Sequence, residues 1–227
     1  MPLIQHKKLL FFLFLFFTPS FLARYINTSQ QNSFLIMLSP AGDAKQIGRT
    51  IGDSFERGIA LQYAEQLKTI VEKQHPHVTM IVNRFTSDIV YPLQNASFAN
   101  RLQVDFFISI HFYQTTEIKP HLHLYQFTYN DDFITPQATL SFYSYDQAHL
   151  FHKHLTDTYI NYIQQSCKKD EHQKLFITND IIKIPFKPLI GVVAPAIGIE
   201  MGIKNSFDWQ QYIGPIAQSI GTIIESN

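Results

Sequence analysis

The chain has 227 residues, of which 45% are apolar and 16% charged, and its formal net charge is zero. This length suits one sizeable α/β domain and is short for two. Zero net charge argues against an electrostatic nucleic-acid-binding protein, and the single cysteine, Cys167, excludes an intrachain disulfide.

The N-terminus has the pattern of a secretory signal. Lys7 and Lys8 precede an apolar run over residues 9–17, and a segment with small residues at positions 18, 20 and 23 follows. The run is shorter than the roughly 20 apolar residues that span a bilayer. We therefore expect residues 1–23 to be a signal peptide, or an N-terminal anchor that tethers the protein to a membrane.

The rest of the chain divides into a polar tether over residues 24–33 and a folded domain over residues 34–227. Within the domain, apolar runs predict buried strands, and apolar residues spaced by three and four predict amphipathic helices. Strands are predicted at 34–38, 78–82, 104–111, 121–127 and 196–201, and helices at 54–74, 94–101, 146–165 and 209–224. This alternation predicts a single three-layer α/β domain with a mostly parallel, twisted sheet flanked by helices.

Two of the predicted strands each carry a side chain suited to chemistry. Glu200 is the only charged residue in the apolar segment 194–203, and His111 ends the strand over 104–111. Burying an unpaired carboxylate costs several kcal/mol, so such a glutamate normally meets a cation, a metal or a reacting proton. Ligands of α/β sheets collect beyond the C-terminal ends of the strands, and we expect the site at that edge.

Two further acidic residues are expected near the same edge. Glu56 opens the first long helix, and Asp43 lies in the loop after the first strand. With a histidine, such carboxylates suit a hydrolytic zinc site, which uses about three protein ligands and one open water position. The position of Asp43 favours an ordinary solvated loop or turn residue over a ligand.

The other candidates also have structural explanations. Asp53 and Glu56 fit a helix capping box, and an ion pair with Arg84 or Lys204 would account for Glu200. The paired histidines are assigned to the surface, namely His75, His77, His121, His123, His152 and His154.

The order of these features resembles the zinc-dependent N-acetylmuramoyl-L-alanine amidases, over about residues 34–224. That family shows an alanine-asparagine pair, then an aspartate before an Ile-Ser-Ile-His ending, and later a Pro-Ala-apolar-Glu-x-Gly strand. The matching segments are Ala99-Asn100-Arg101, Asp105-Phe106-Phe107-Ile108-Ser109-Ile110-His111 and Pro195-Ala196-Ile197-Gly198-Ile199-Glu200-Met201-Gly202.

The resemblance implies an activity and a role for each matching residue. His111 and Glu56 match zinc ligands, and Glu200 matches the catalytic glutamate. A zinc-activated water would cleave the amide between N-acetylmuramic acid and L-alanine, with Glu200 taking and returning the proton. The implied protein is exported to the periplasm or cell envelope, takes zinc as its cofactor and acts on peptidoglycan.

One motif departs from the family. Where its members read Asp-Pro-Gly-His-Gly-Gly, with the histidine binding zinc, this chain reads Ser-Pro-Ala-Gly-Asp-Ala over residues 39–44. Gly42 takes the ligand position, and neighbouring Asp43 is the candidate replacement ligand. Histidine at position 42 is expected to complete the zinc site. The alternative function is a catalytically inactive domain that binds cell-wall fragments or a partner protein.

Overall fold

The computed structural model of the protein describes residues 33–91, 93–129 and 144–227. Residues Phe34–Asn227 form one compact unit. The predicted signal or anchor over 1–23 and nearly all of the predicted tether lie outside the described residues. Among the helices of the described part, none combines the length and the apolar character needed to cross a membrane.

The strands of the described part are β1 Phe34–Pro40, β2 Thr50–Ile51, β3 Ser54–Phe55, β4 Val78–Val82, β5 Phe106–Gln114, β6 His121–Phe127, β7 Ile177–Thr178, β8 Ile182–Ile184 and β9 Ala196–Ile203. Seven of them form one mixed sheet in the order β4-β1-β5-β9-β6-β7, with β8 also paired to β6, and β2 and β3 form a separate hairpin. The strands β4, β1, β5 and β9 run parallel, whereas β6 is antiparallel to β9.

The described part of the chain also has five α-helices, and helices pack on both faces of the sheet. The helix predicted over 146–165 is replaced by a short 3-10 turn, Ala148–Leu150, followed by an α-helix over Lys153–Cys167. The predicted fold class is confirmed, with β6, β7 and β8 running antiparallel to the other four strands of the sheet. The helices are α1 Glu56–Gln74, α2 Gln94–Leu102, α3 Lys153–Cys167, α4 Asp170–Gln173 and α5 Ile213–Glu225.

The two faces of the sheet are covered unequally. Alternate residues of β5, such as Phe106 and Ile110, enter a large core beneath α1, α3 and α5. Phe107 points the other way, into a smaller core under α2. Burial of each such side chain stabilises the fold by about 1.5–3 kcal/mol. Beyond the smaller core, this second face carries the polar residues of β5, including Ser109 and His111.

Candidate active site

Three neighbouring strands place a histidine, a glutamate and a second histidine in one row. The register sets His111 of β5 opposite Glu200 of β9, and His123 of β6 opposite Glu200 on the other side. Directly paired residues point to the same face of a sheet, so the three side chains lie side by side. His123, assigned to the surface from the sequence, is half-buried beside Glu200.

The β2–β3 hairpin delivers Glu56 to this row, because β3 runs directly into α1. The buried Glu56 carboxylate accepts hydrogen bonds from the backbone N–H groups of Phe112 and Arg49, both at 3.1 Å. Its Oε1 also lies 3.5 Å from Nδ1 of His111. These contacts satisfy the buried Glu56 carboxylate. A capping box with Asp53 does not form, since α1 has no side-chain cap at its N-terminus.

The charge of Glu56 is stabilised by its neighbours. Burial alone would raise the pKa of its carboxyl, but hydrogen bonds from His111 and from the backbone of Arg49 and Phe112 outweigh burial and lower it. The other imidazole nitrogen, Nε2 of His111, lies 2.8 Å from the Ser109 hydroxyl. Both ring nitrogens of His111 therefore have a partner within the protein.

Each oxygen of the Glu200 carboxylate also has a partner. Nη1 of Arg49 donates to Oε1 at 2.6 Å, and the Tyr125 hydroxyl donates to Oε2 at 2.7 Å. The same Arg49 nitrogen donates to the carbonyl of Phe112 at 3.1 Å. Burial raises the pKa of Tyr125, and the adjacent Glu200 raises it further, so this hydroxyl stays a donor.

The cation that pairs with Glu200 is therefore neither of those suggested by the sequence. Arg84 instead donates to backbone carbonyls of the loop after β1, at 3.1 Å to Pro40 and 2.8 Å to Ala41, and to the carbonyl of Arg57 at 2.8 Å. Arg49 stays charged in its place: burial opposes the charge, but the bond to Glu200 prevails and raises the pKa of the guanidinium.

Asp43 is bound within its own loop. Its Oδ1 accepts from the backbone N–H groups of Lys45 at 2.7 Å and Gln46 at 2.5 Å, and its Oδ2 accepts from that of Val90 at 3.0 Å. Burial would raise the pKa of the Asp43 carboxyl, but these backbone hydrogen bonds lower it. The contacts support the turn interpretation, and the zinc role of Asp43 gains no support from them.

Gly42 has a backbone that does not suit histidine. Its φ is +75°, in the left-handed region that favours glycine, and a Cβ added there would lie 2.7 Å from the Cβ of Arg57. That contact is between backbone-proximal atoms, so the loop or α1 would have to move. The expectation that a histidine at position 42 simply completes a ligand set does not agree with this geometry.

The donor set does not fit a hydrolytic zinc ion. Such a site uses about three protein ligands and an open water position, whereas Glu56 and His111 here contact each other and position 42 offers no donor. Across residues 33–91, 93–129 and 144–227, no three His, Cys, Asp or Glu side chains are grouped so that they could hold a metal. No zinc-dependent step follows from this arrangement.

Residues 36–214 match the family model described as N-acetylmuramoyl-L-alanine amidase, Amidase_3. The chain belongs to this amidase family. Its members act on peptidoglycan outside the cytoplasm and are generally zinc-dependent. The predicted family is confirmed. No curated protein sequence matches the chain significantly.

Solved amidase domains share the fold at low sequence identity. The catalytic domain of CwlV from Bacillus (Paenibacillus) polymyxa var. colistinus superposes with a TM-score of 0.61 at 15% identity, covering 85% of this chain and 99% of that one. AmiC2 of Nostoc punctiforme gives 0.55 at 17%, covering 85% and 98%. CwlD from Clostridioides difficile, solved in complex with the GerS lipoprotein, gives 0.59 at 13%, covering 85% and 99%.

Besides assigning His123 to the surface, sequence reasoning missed Arg49 and Tyr125 of this site. Arg49 lies in the irregular loop before β2, where no periodicity marks it, and its only signal is a lone cation after Gly48. Tyr125 could have been found from the alternation along β6, which puts it on the same face as His121 and His123.

Proposed function

We propose that this amidase-family domain binds peptidoglycan without hydrolysing it by zinc chemistry. The observation that carries the proposal is the 2.6 Å ion pair between Arg49 and Glu200. A general base must hold the attacking water, whereas each Glu200 oxygen already accepts a hydrogen bond, from Arg49 or from Tyr125. Gly42 supplies no ligand at the position where the family has one, and the ion pair with Arg49 occupies the carboxylate that would act as the general base.

The surroundings of Glu200 support binding of a ligand with sugar rings and amides. Tyr125 and Phe186 stack with ring centroids 4.5 Å apart and planes 7° apart, and Phe186 lies 5.2 Å from the ring of His111. Gly198 makes room for this stack, because a Cβ there would be 2.6 Å from Phe186. Aromatic side chains that carry a polar group are suited to ligands with both apolar and hydrated polar parts, such as glycan and peptide chains.

Co-sedimentation with purified sacculi tests the binding. We expect the wild-type protein to sediment with the sacculi, and Phe186→Ala to lower its affinity by up to about tenfold, since an aromatic contact contributes about 0.5–1.5 kcal/mol. Arg101→Met is the matched control, because this exposed arginine packs on Phe98 of α2, away from the site. Wild-type affinity of Phe186→Ala would contradict a role for the stack. An equal loss of affinity in Phe186→Ala and Arg101→Met would contradict it too.

Release of soluble peptides from the same sacculi tests catalysis. We expect none above the buffer level, with or without added zinc. Zinc-dependent release by the wild type that disappears in Glu200→Gln would replace the proposal with a hydrolase.

A zinc-dependent amidase is the second candidate function. It is favoured by the register that sets Glu200 directly beside His111 on the neighbouring strand. Such an enzyme would cleave the amide between N-acetylmuramic acid and L-alanine. His111→Ala would then lose zinc more completely than Asp43→Ala, because the imidazole matches a ligand position and Asp43 serves its loop.

A further inference from the structure

We propose that a cavity at the edge of the sheet opposite the active site binds a small organic cation, namely an ammonium group carried on an apolar body. The cavity has a volume of about 470 Å³, and small-molecule sites usually measure roughly 300–1,000 Å³. The described residues that line it include none of Glu56, His111 and Glu200. The inference is therefore independent of peptidoglycan binding.

The cavity lies where three parallel strands begin. The strands β1, β5 and β9 run in one direction, so their first residues share one edge of the sheet, while His111 and Glu200 lie towards the other. Phe34 opens β1, and the segments 104–105 and 193–195 lead into β5 and β9. The end of α2 and the first half of α3 complete the lining. Regular elements of the fold thus form most of the wall.

Hydrogen bonds within the protein hold this wall in place. The side chain of Asn100 donates to the carbonyl of Gly191 at 2.8 Å and accepts from the backbone N–H of Val193 at 2.9 Å, which ties the loop before β9 to α2. The backbone N–H of Asp105 donates to the carbonyl of Leu35 at 2.8 Å, and that of Leu35 donates to Oδ2 of Asp105 at 2.7 Å. The Asp105 carboxylate is therefore oriented before any ligand arrives.

The exposed Asp105 gives the cavity a negative charge. Within the described part of the chain, its carboxylate forms no ion pair and its Oδ1 accepts no hydrogen bond. None of the described residues that line the cavity is a lysine or an arginine. Such a wall is complementary to a cationic ligand.

Aromatic rings line the same cavity, namely those of Phe34, Phe151 and Tyr159. Burial raises the pKa of the Tyr159 hydroxyl, its hydrogen bond to Asn227 lowers it, and the charge of the nearby Asp105 raises it again. Ring faces attract ammonium groups, and the same rings can cover an apolar body. Carboxylate and rings together favour an organic cation over a neutral or anionic molecule.

Gln103 at the end of α2 has a backbone conformation that favours glycine. Its φ is +52°, in the left-handed region where helices commonly end on glycine. The side chain lines the cavity, and its carboxamide has no hydrogen bond to any residue that the structure describes. A side chain kept at such a position, facing a cavity, supports a role in binding.

Calorimetric titration of the purified protein with three molecules that share a phenyl body tests this inference. The pH is set to 8, above the ordinary pKa of histidine, because His152 also lines the cavity. We expect phenethylamine to bind at least about threefold more tightly than neutral 2-phenylethanol, and 3-phenylpropionate to bind most weakly, since only the amine is cationic. Equal affinities, or no binding of phenethylamine, would overturn the proposal.

Asp105→Asn connects the preference to the cavity. The amide oxygen can still accept from Leu35, so we expect a folded variant that binds phenethylamine no more tightly than 2-phenylethanol. Asp53→Asn, which removes an exposed carboxylate at the hairpin turn, is the matched control and should keep the wild-type preference. A preference for phenethylamine that persists in Asp105→Asn would overturn the proposal.

Gln103→Gly separates binding from stability. Glycine relieves the left-handed conformation, so the Tm should rise. The affinity for phenethylamine should fall by about twofold or more, because the carboxamide that lines the cavity is lost. A residue with a purely structural role would change the Tm alone. Unchanged affinity in this variant would overturn the role of Gln103.

Discussion

Asp43 is a residue whose buried charge serves the backbone of its own loop. Three backbone N–H groups, those of Lys45, Gln46 and Val90, converge on its carboxylate. A carboxylate that accepts several backbone hydrogen bonds is stabilised in its ionised form. The charge of Asp43 therefore contributes to folding independently of any role in the site.

We predict that Asp43→Asn lowers the free energy of unfolding at pH 7 by about 1–3 kcal/mol, since buried N–H groups lose a charged acceptor. The pKa of Asp43 is lowered by folding from its ordinary value of 3.8. Its contribution is therefore complete above that value and is lost as the pH falls through the folded pKa.

Urea denaturation at pH 7 and at pH 3 measures this effect. The difference between wild type and Asp43→Asn should shrink at the lower pH. Asp53→Asn, at the exposed turn of the hairpin, is the control and should change little at either pH. A difference that is equal or larger at pH 3 would contradict the assignment.

The candidate residues differ in how visible they are in the sequence. Glu200 could be found because its charge interrupts an apolar strand, and Glu56 and His111 because they match family motifs. Arg49 could not, since it lies in a loop without periodicity and its partner Glu200 is 151 positions away. Ion pairs between distant segments depend on the tertiary fold, which local patterns do not encode.

At the scale of the elements, the β2–β3 hairpin and the loop before it place Glu56 and Arg49 beside the row of side chains on β5, β9 and β6. The hairpin is too short for any alternation to predict, with two residues in each strand. The longer strands were predictable: β4 and β6 have the predicted bounds, and β5 continues past His111 to Gln114. Apolar runs thus located the strands of the sheet, while the part that brings Arg49 to Glu56 is set by glycine conformations and backbone pairing.

Gly48 and Gly52 allow the hairpin's role to be tested. Both have positive φ, +76° and +57°, but a Cβ at Gly48 would collide with Glu56 whereas one at Gly52 would meet nothing within 4 Å. We predict that Gly52→Ala costs about 1 kcal/mol from its conformation alone. Gly48→Ala should cost clearly more, because it also displaces Glu56.

Urea denaturation of the two alanine variants gives the comparison directly. Since both substitutions remove a glycine at positive φ, the difference between their free energies of unfolding isolates the contact with Glu56. Equal losses would show that the close approach at Gly48 does not hold the site together.

At the scale of the whole molecule, the large apolar core and the polar row of the site lie on opposite faces of one sheet. The face beneath α1, α3 and α5 holds the large apolar core. Among the described residues, the other face holds the smaller core under α2 and carries the polar row with Glu200. Substitutions in the row can therefore change binding while most of the buried apolar area stays intact.

Action on the cell wall also requires that the domain leave the cytoplasm. We predict that the full chain is exported and that residues 1–23 are removed, because two lysines, an apolar run and small residues occur in the order of a secretory signal. Fractionation of cells that express the full chain, with mass spectrometry of the N-terminus, measures both events. Replacing Leu13 and Leu15 by arginine should retain the protein in the cytoplasm, since the apolar run is then broken. Export with residues 1–23 still attached would identify a membrane anchor, and a wild-type chain found only in the cytoplasm would contradict action on the wall.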